Sequence, residues 1–149
     1  MLKCYNYFAR LWLMINSQDL LNLAKSRFDE AQILLLNKKP DGAVYLCGYS
    51  IELMLKRHIV KILNWEGYPD TNNEFENYKS FKVHNLDVLL NLAGLEKKVQ
   101  LNTKMFTLWQ IAKNWNSEFR YKQVGLLSIS DAKSIIEASR SFLNYLSNI

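Results

Sequence analysis

The side chains able to do chemistry are few in this sequence. It holds five arginines (Arg10, Arg27, Arg57, Arg120, Arg140), two histidines (His58, His84) and two cysteines (Cys4, Cys47). Glu52 and Lys56 stand four residues apart with the acid first, so a helix brings them together on one face. They interrupt an apolar run, and a carboxylate buried there needs a partner. Lys56 supplies one, and Arg120 is a candidate second. His84 precedes Asn85, a helix-capping residue type. It either orients the loop entering that helix or lines a ligand cleft, where an imidazole can donate and accept near neutral pH. Arg120 and Tyr121 follow a tryptophan-containing segment. The planar guanidinium fork suits phosphate, and Tyr121 or Trp115 would stack a base. Pairing of Arg120 with Glu118 or Glu52 is the structural alternative. The candidate ligand-binding residues are therefore Glu52, Lys56, His84, Arg120 and Tyr121.

No catalytic set is assigned. Glu52 and His84 would suit acid–base work, but no nucleophile and no glycine-rich phosphate loop accompanies them. Two histidines without a close acidic cluster make a poor metal site. Cys4 and Cys47 have no CxxC partner, so neither a zinc site nor a disulfide framework is expected. Neither a metal nor a cofactor is expected.

The elements that must position these residues read as helices. Leu20, Ala24, Phe28, Ala31 and Leu35 step by three and four along one stripe, behind an Asn16-Ser17 cap, to about Asn37. Pro40 ends that helix, and Asp41 is expected to cap a second, Gly42 to about Leu63. That second helix is apolar on nearly every side until Met54, so it is expected to be surrounded by others. Gly48 in its interior costs about 1 kcal/mol relative to alanine, and close approach of a neighbouring helix is the expected compensation. Asn64 to Lys82 is rich in turn formers (Gly67, Pro69, Asp70, Asn72, Asn73) and in aromatics (Trp65, Tyr68, Phe75, Tyr78, Phe81), an insertion expected to pack on the bundle. Asn85 caps a short third helix that stops at Gly94. A fourth follows Asn102 with Met105, Leu108, Trp109, Ala112 and Trp115 on one stripe. Ser128 and Asp131 open a final helix with Ala132, Ile135, Ile136, Ser139, Leu143 and Leu146 inward. The expected fold is all-α, a single up-and-down helical bundle of about five helices with an aromatic-rich insertion.

Composition agrees. In 149 residues, 49% hydrophobic, there are only five glycines and two prolines, too few tight turns for a β-sandwich. The chain carries a net charge of +5. Setting aside Met1–Leu13, which holds Lys3 and Arg10 and no acid, leaves 17 basic and 14 acidic residues and a net of +3. That balance permits phosphate-bearing ligands without marking a polybasic binder. Residues 1–16 are expected to be an N-terminal arm, with Met14 as the true or alternative start and the first 13 residues dispensable. Residues 17–149 are expected to form the domain. Met1–Leu13 lacks a signal-peptide core, no run of about 20 apolar residues spans a bilayer, and the cysteine usage fits a reducing cytoplasm.

Several spaced elements resemble the HEPN superfamily of helical-bundle domains over roughly Ser17 to Ile149. They are the helix Leu23-Ala24-Lys25-Ser26-Arg27-Phe28-Asp29-Glu30-Ala31, the stretch Asp41-Gly42-Ala43-Val44-Tyr45-Leu46-Cys47-Gly48-Tyr49-Ser50-Ile51-Glu52-Leu53-Met54-Leu55-Lys56, then His84-Asn85-Leu86, and Trp115 with Glu118-Phe119-Arg120-Tyr121. The resemblance implies a bundle that often dimerises and is frequent in toxin–antitoxin and phage-defence systems. Its members are metal-independent RNases, partners of small nucleotidyltransferases, or binders of nucleotides or RNA. The catalytic members carry an Arg, four to six residues, then His. Here Arg57 and His58 are adjacent, which turns them about 100° apart around a helix. His84 lies 27 residues after Arg57, and no arginine has a histidine five to seven positions later. The expected function is a non-catalytic, homodimeric binding module engaging a nucleotide, RNA or a protein such as a nucleotidyltransferase. The alternative is a metal-independent RNase with a departed site, and a third reading is a purely structural subunit.

Overall fold

The computed structural model describes residues 14–69 and 78–149. Among them six α-helices succeed one another: α1 (Ser17–Leu36), α2 (Pro40–Ile62), α3 (Leu86–Leu92), α4 (Glu96–Leu101), α5 (Thr103–Ala112) and α6 (Ile129–Ser147). The architecture is an all-α bundle. The central α2 packs against α1, α6, α3 and a 3-10 turn at Ser117–Tyr121, while α5 packs against α4 and α6.

Side-chain caps set most helix starts. Asn16 accepts a hydrogen bond from the Asp19 amide at 2.9 Å, satisfying a donor that the helix itself leaves unpaired. Asn85, Asn102 and Ser128 do the same for α3, α5 and α6. Along α1, Leu20, Ala24, Phe28 and Ala31 form the buried stripe. Each fully buried Leu or Phe contributes about 1.5–3 kcal/mol. The chain leaves α1 through Lys38 in the left-handed region (φ 56°).

The entry to α2 differs from the expected one. Lys39, not Asp41, is the capping position; Pro40 occupies the first turn, where its missing N–H costs nothing. The Asp41 carboxylate is used over long range, accepting from the amides of Gly125 (2.6 Å) and Leu127 (3.2 Å) and tying down the loop before α6. The interior of α2 is buried on all sides from Ser50 to Leu55, as its continuous apolar run requires. Ser50 relieves its own burial by donating to the Ala24 carbonyl at 2.7 Å. Gly48 does face a close neighbour, but that neighbour is the Trp115 indole and not another helix backbone.

Two further differences lie in the second half. A six-residue helix, α4, separates Gly94 from Asn102, where none was expected. Trp115 is also not on the α5 stripe, because α5 ends at Ala112 and Trp115 sits in the turn beyond it, still buried.

The aromatic insertion packs on the bundle as expected. Trp65 meets Tyr78 at 5.2 Å and Phe81 at 4.9 Å between ring centroids, and Tyr68 is buried. Asp70, Asn72, Asn73 and Phe75 lie outside the described residues, as do residues 1–13 and their dispensability. Residues 14–16 are built into the bundle. Ile15 and Tyr68 exchange backbone hydrogen bonds of 3.1 and 2.8 Å, so this part of the expected arm is structural.

Candidate functional site

The α2 register sets Glu52 and Lys56 one turn apart on the side of α2 that faces Tyr68 and the start of α3. Glu52 is 1% exposed. Lys56 Nζ lies 2.6 Å from its Oε1, and 5.1 Å from the centroid of the Tyr68 ring, a cation–π contact. The Asn85 cap fixes where α3 begins, and His84 just before it reaches back so that its Nδ1 lies 2.9 Å from the same Glu52 Oε1. The other carboxylate oxygen, Oε2, is buried and has no hydrogen-bond partner.

These three side chains line a cavity of about 260 Å³ together with Tyr49, Leu53, Tyr68, Lys82 and Val83. Electrostatics and burial act together on the tyrosines there. The Tyr68 phenol donates to the Phe81 carbonyl at 2.6 Å, and burial, reinforced by Glu52, raises it above the usual phenol range. Tyr49 is raised in the same direction, first by burial and then by Glu52. Both therefore remain neutral donors at physiological pH. Among the described residues that line the cavity none is a serine, threonine or cysteine; the site brings together a carboxylate, an imidazole, lysine ammonium groups and two phenols.

Arg120 and Tyr121 are not part of this site. They belong to the turn after α5, and Arg120 lines a different cavity of about 210 Å³ with Asp41, Gly42, Tyr45, Phe119 and Lys122. The Arg120 guanidinium stacks 4.8 Å from the Tyr121 ring centroid. Hydrogen bonds to Tyr45 and then Tyr121 strengthen its hold on its proton. Lys122 stacks likewise over Phe119, at 4.1 Å. Arg120 therefore pairs with neither Glu52 nor Glu118, and the candidate residues separate into a triad built on the buried Glu52 and an exposed cation–aromatic pair.

His58 lines neither cavity. It is buried on α2, its Nδ1 has no partner, and burial followed by the charges of Lys61, Lys98 and Arg57 lowers its pKa. Cys47 is a buried core thiol pushed up to about 11 by burial, the behaviour of an unreactive packing residue. Three contributors escaped the sequence reading: Tyr49, Tyr68 and Lys82. Tyr49 stands three residues before Glu52 and so shares its helix face, a signal that was available. Tyr68 was visible only as one aromatic of the insertion, and Lys82 only as a charge near His84.

No known protein family, curated protein or solved structure matches the chain. Among the described residues, no group of three or more His, Cys, Asp and Glu side chains is placed to hold a metal, and no helix is long and apolar enough to cross a membrane.

Proposed function

We propose that the chain is a non-catalytic binding module of the HEPN kind, acting as a cytoplasmic homodimer in a toxin–antitoxin or phage-defence setting. Its ligand is a nucleotide, RNA or a nucleotidyltransferase-like partner, and its ligand contacts centre on Glu52, Lys56 and His84. The observation that carries this reading is the state of Glu52. Its Oε2 is buried without a partner beside a cavity of about 260 Å³. Leaving a buried acceptor unpaired costs about 1–3 kcal/mol, and native structures keep such groups for a reason. A bound hydrogen-bond donor supplies one. Arg120 and Tyr121 add an exposed contact surface elsewhere on the same chain.

A second reading has one observation in its favour. The His84 side chain is 58% exposed and Tyr121, beside Arg120, is 74% exposed, so a second copy could bring Arg120 to His84 and form a metal-independent RNase site across a dimer. Thermal denaturation against a nucleotide and RNA panel separates ligand binding from its absence. At a hundredfold excess over its Kd, a ligand adds about 2.7 kcal/mol of stability. The binding reading expects such a shift in the wild type and its loss in His84→Ala. No shift with any member of the panel would remove nucleotides and RNA as ligands and leave the protein-partner and structural-subunit readings.

A further inference from the structure

Polar capacity around the Glu52 cavity is unevenly used. Oε1 receives both Lys56 Nζ and His84 Nδ1, at 2.6 and 2.9 Å, while Oε2 receives nothing. A carboxylate only accepts hydrogen bonds, so His84 Nδ1 carries the hydrogen of this contact, and in the tautomer that keeps its hydrogen on Nδ1 alone Nε2 is an acceptor. Lys56 has three N–H donors and spends one on Glu52. The site thus offers acceptors on Glu52 and His84 and donors on Lys56, beside apolar walls from Ile15, Leu20, Leu53 and Val83 and the rings of Tyr49 and Tyr68.

A simple anion would meet the ammonium groups of Lys56 and Lys82 but would also face the Glu52 carboxylate beside them. A simple cation would answer Glu52 but would face Lys56. A hydroxyl group donates and accepts at once, and two adjacent hydroxyls can give to Glu52 and His84 while receiving from Lys56. We propose that this cavity binds the vicinal diol of a pentose, presented by a ribonucleoside, with the apolar walls taking the carbon face of the sugar. The volume of about 260 Å³ lies just under the range of pockets that enclose drug-sized molecules, which suits a sugar ring and leaves a larger appended group at the mouth beside the exposed His84. This inference rests on the cavity being the ligand site proposed above, and it adds the chemical class that the site reads.

Calorimetric titration of the full chain with adenosine, 2′-deoxyadenosine and ribose tests it. The expected result is binding of adenosine and at least about tenfold weaker binding of 2′-deoxyadenosine, because a site built to pair a hydroxyl rejects the analogue that lacks it. His84→Ala alters an exposed side chain and keeps the fold. In that variant adenosine should weaken and the preference over 2′-deoxyadenosine should shrink. Weak binding of ribose beside tight adenosine assigns the diol to a nucleoside, and equal binding assigns it to a free sugar; both support recognition of the diol. Equal affinity of the wild type for adenosine and 2′-deoxyadenosine overturns the diol inference and leaves the cavity a binding site. Binding of none of the three overturns the diol inference and, if the nucleotide and RNA panel is also silent, the nucleotide and RNA part of the binding reading with it.

Discussion

Gly48 lies directly against the indole of Trp115: a β-carbon at Gly48 would stand 2.1 Å from Trp115 Cγ. This contact seats the turn after α5 on the middle of α2, and Tyr45, one turn earlier, meets the same indole at 6.1 Å between ring centroids. The turn that is held this way continues into Phe119, Arg120 and Tyr121. Gly48→Ala gains about 1 kcal/mol in helix propensity but must displace a buried ring, an overpacking cost of about 1–3 kcal/mol. Urea unfolding should show a net destabilisation, and Trp115→Ala in the same background should remove the clash.

Glu52 and Lys56 form an ion pair with both side chains largely withdrawn from water. Removing one member strands the other, at a cost of about 3–5 kcal/mol. Lys56→Met and Glu52→Leu are each expected to destabilise strongly. Glu52→Leu combined with Lys56→Met should recover most of the loss, since an apolar replacement of a buried pair is often close to neutral. His84→Ala should cost far less, because His84 is largely exposed and its share of the contact is screened. Chemical denaturation of these variants, arranged as a double-mutant cycle, measures the coupling.

His58 predicts how stability responds to acid. Its pKa in the folded chain is lowered, chiefly by burial, from the ordinary value of about 6.5. The unfolded chain therefore binds a proton that the folded chain refuses, and stability rises with pH wherever that holds. The His58 contribution is fully present above about pH 6.5 and is lost as pH falls below it. Unfolding free energies measured across this interval should fall on acidification in the wild type. In His58→Leu the slope from this residue should disappear, and in His84→Ala it should persist.

Much of the bundle was legible because its signals are local. Asn16, Asn85, Asn102 and Ser128 each cap the helix that follows, and the apolar stripes of α1 and α6 recur at helical spacing. The helix α4 was not legible, since six residues with only Val99 buried show no period. Trp115 misled because its spacing from Trp109 and Ala112 matches a helix, whereas the chain turns after Ala112 and the tertiary contact with Gly48 decides where the ring goes. The Glu52–Lys56 pair could be read from its four-residue spacing. The Glu52–His84 contact spans 32 residues and could only be named as one option among several. Arg120 meeting Tyr45 across the bundle, and Asp41 holding the loop at Gly125 and Leu127, are tertiary choices that no local pattern announces.

We propose binding without cleavage. Its most direct test is incubation of the purified protein with total RNA or tRNA in the absence of metal ions, beside Arg120→Ala and His84→Ala. The expected result is intact RNA with all three proteins, while a nucleotide or RNA ligand still raises the melting temperature of the wild type. Cleavage by the wild type that is abolished in both Arg120→Ala and His84→Ala would contradict it and assign a metal-independent RNase.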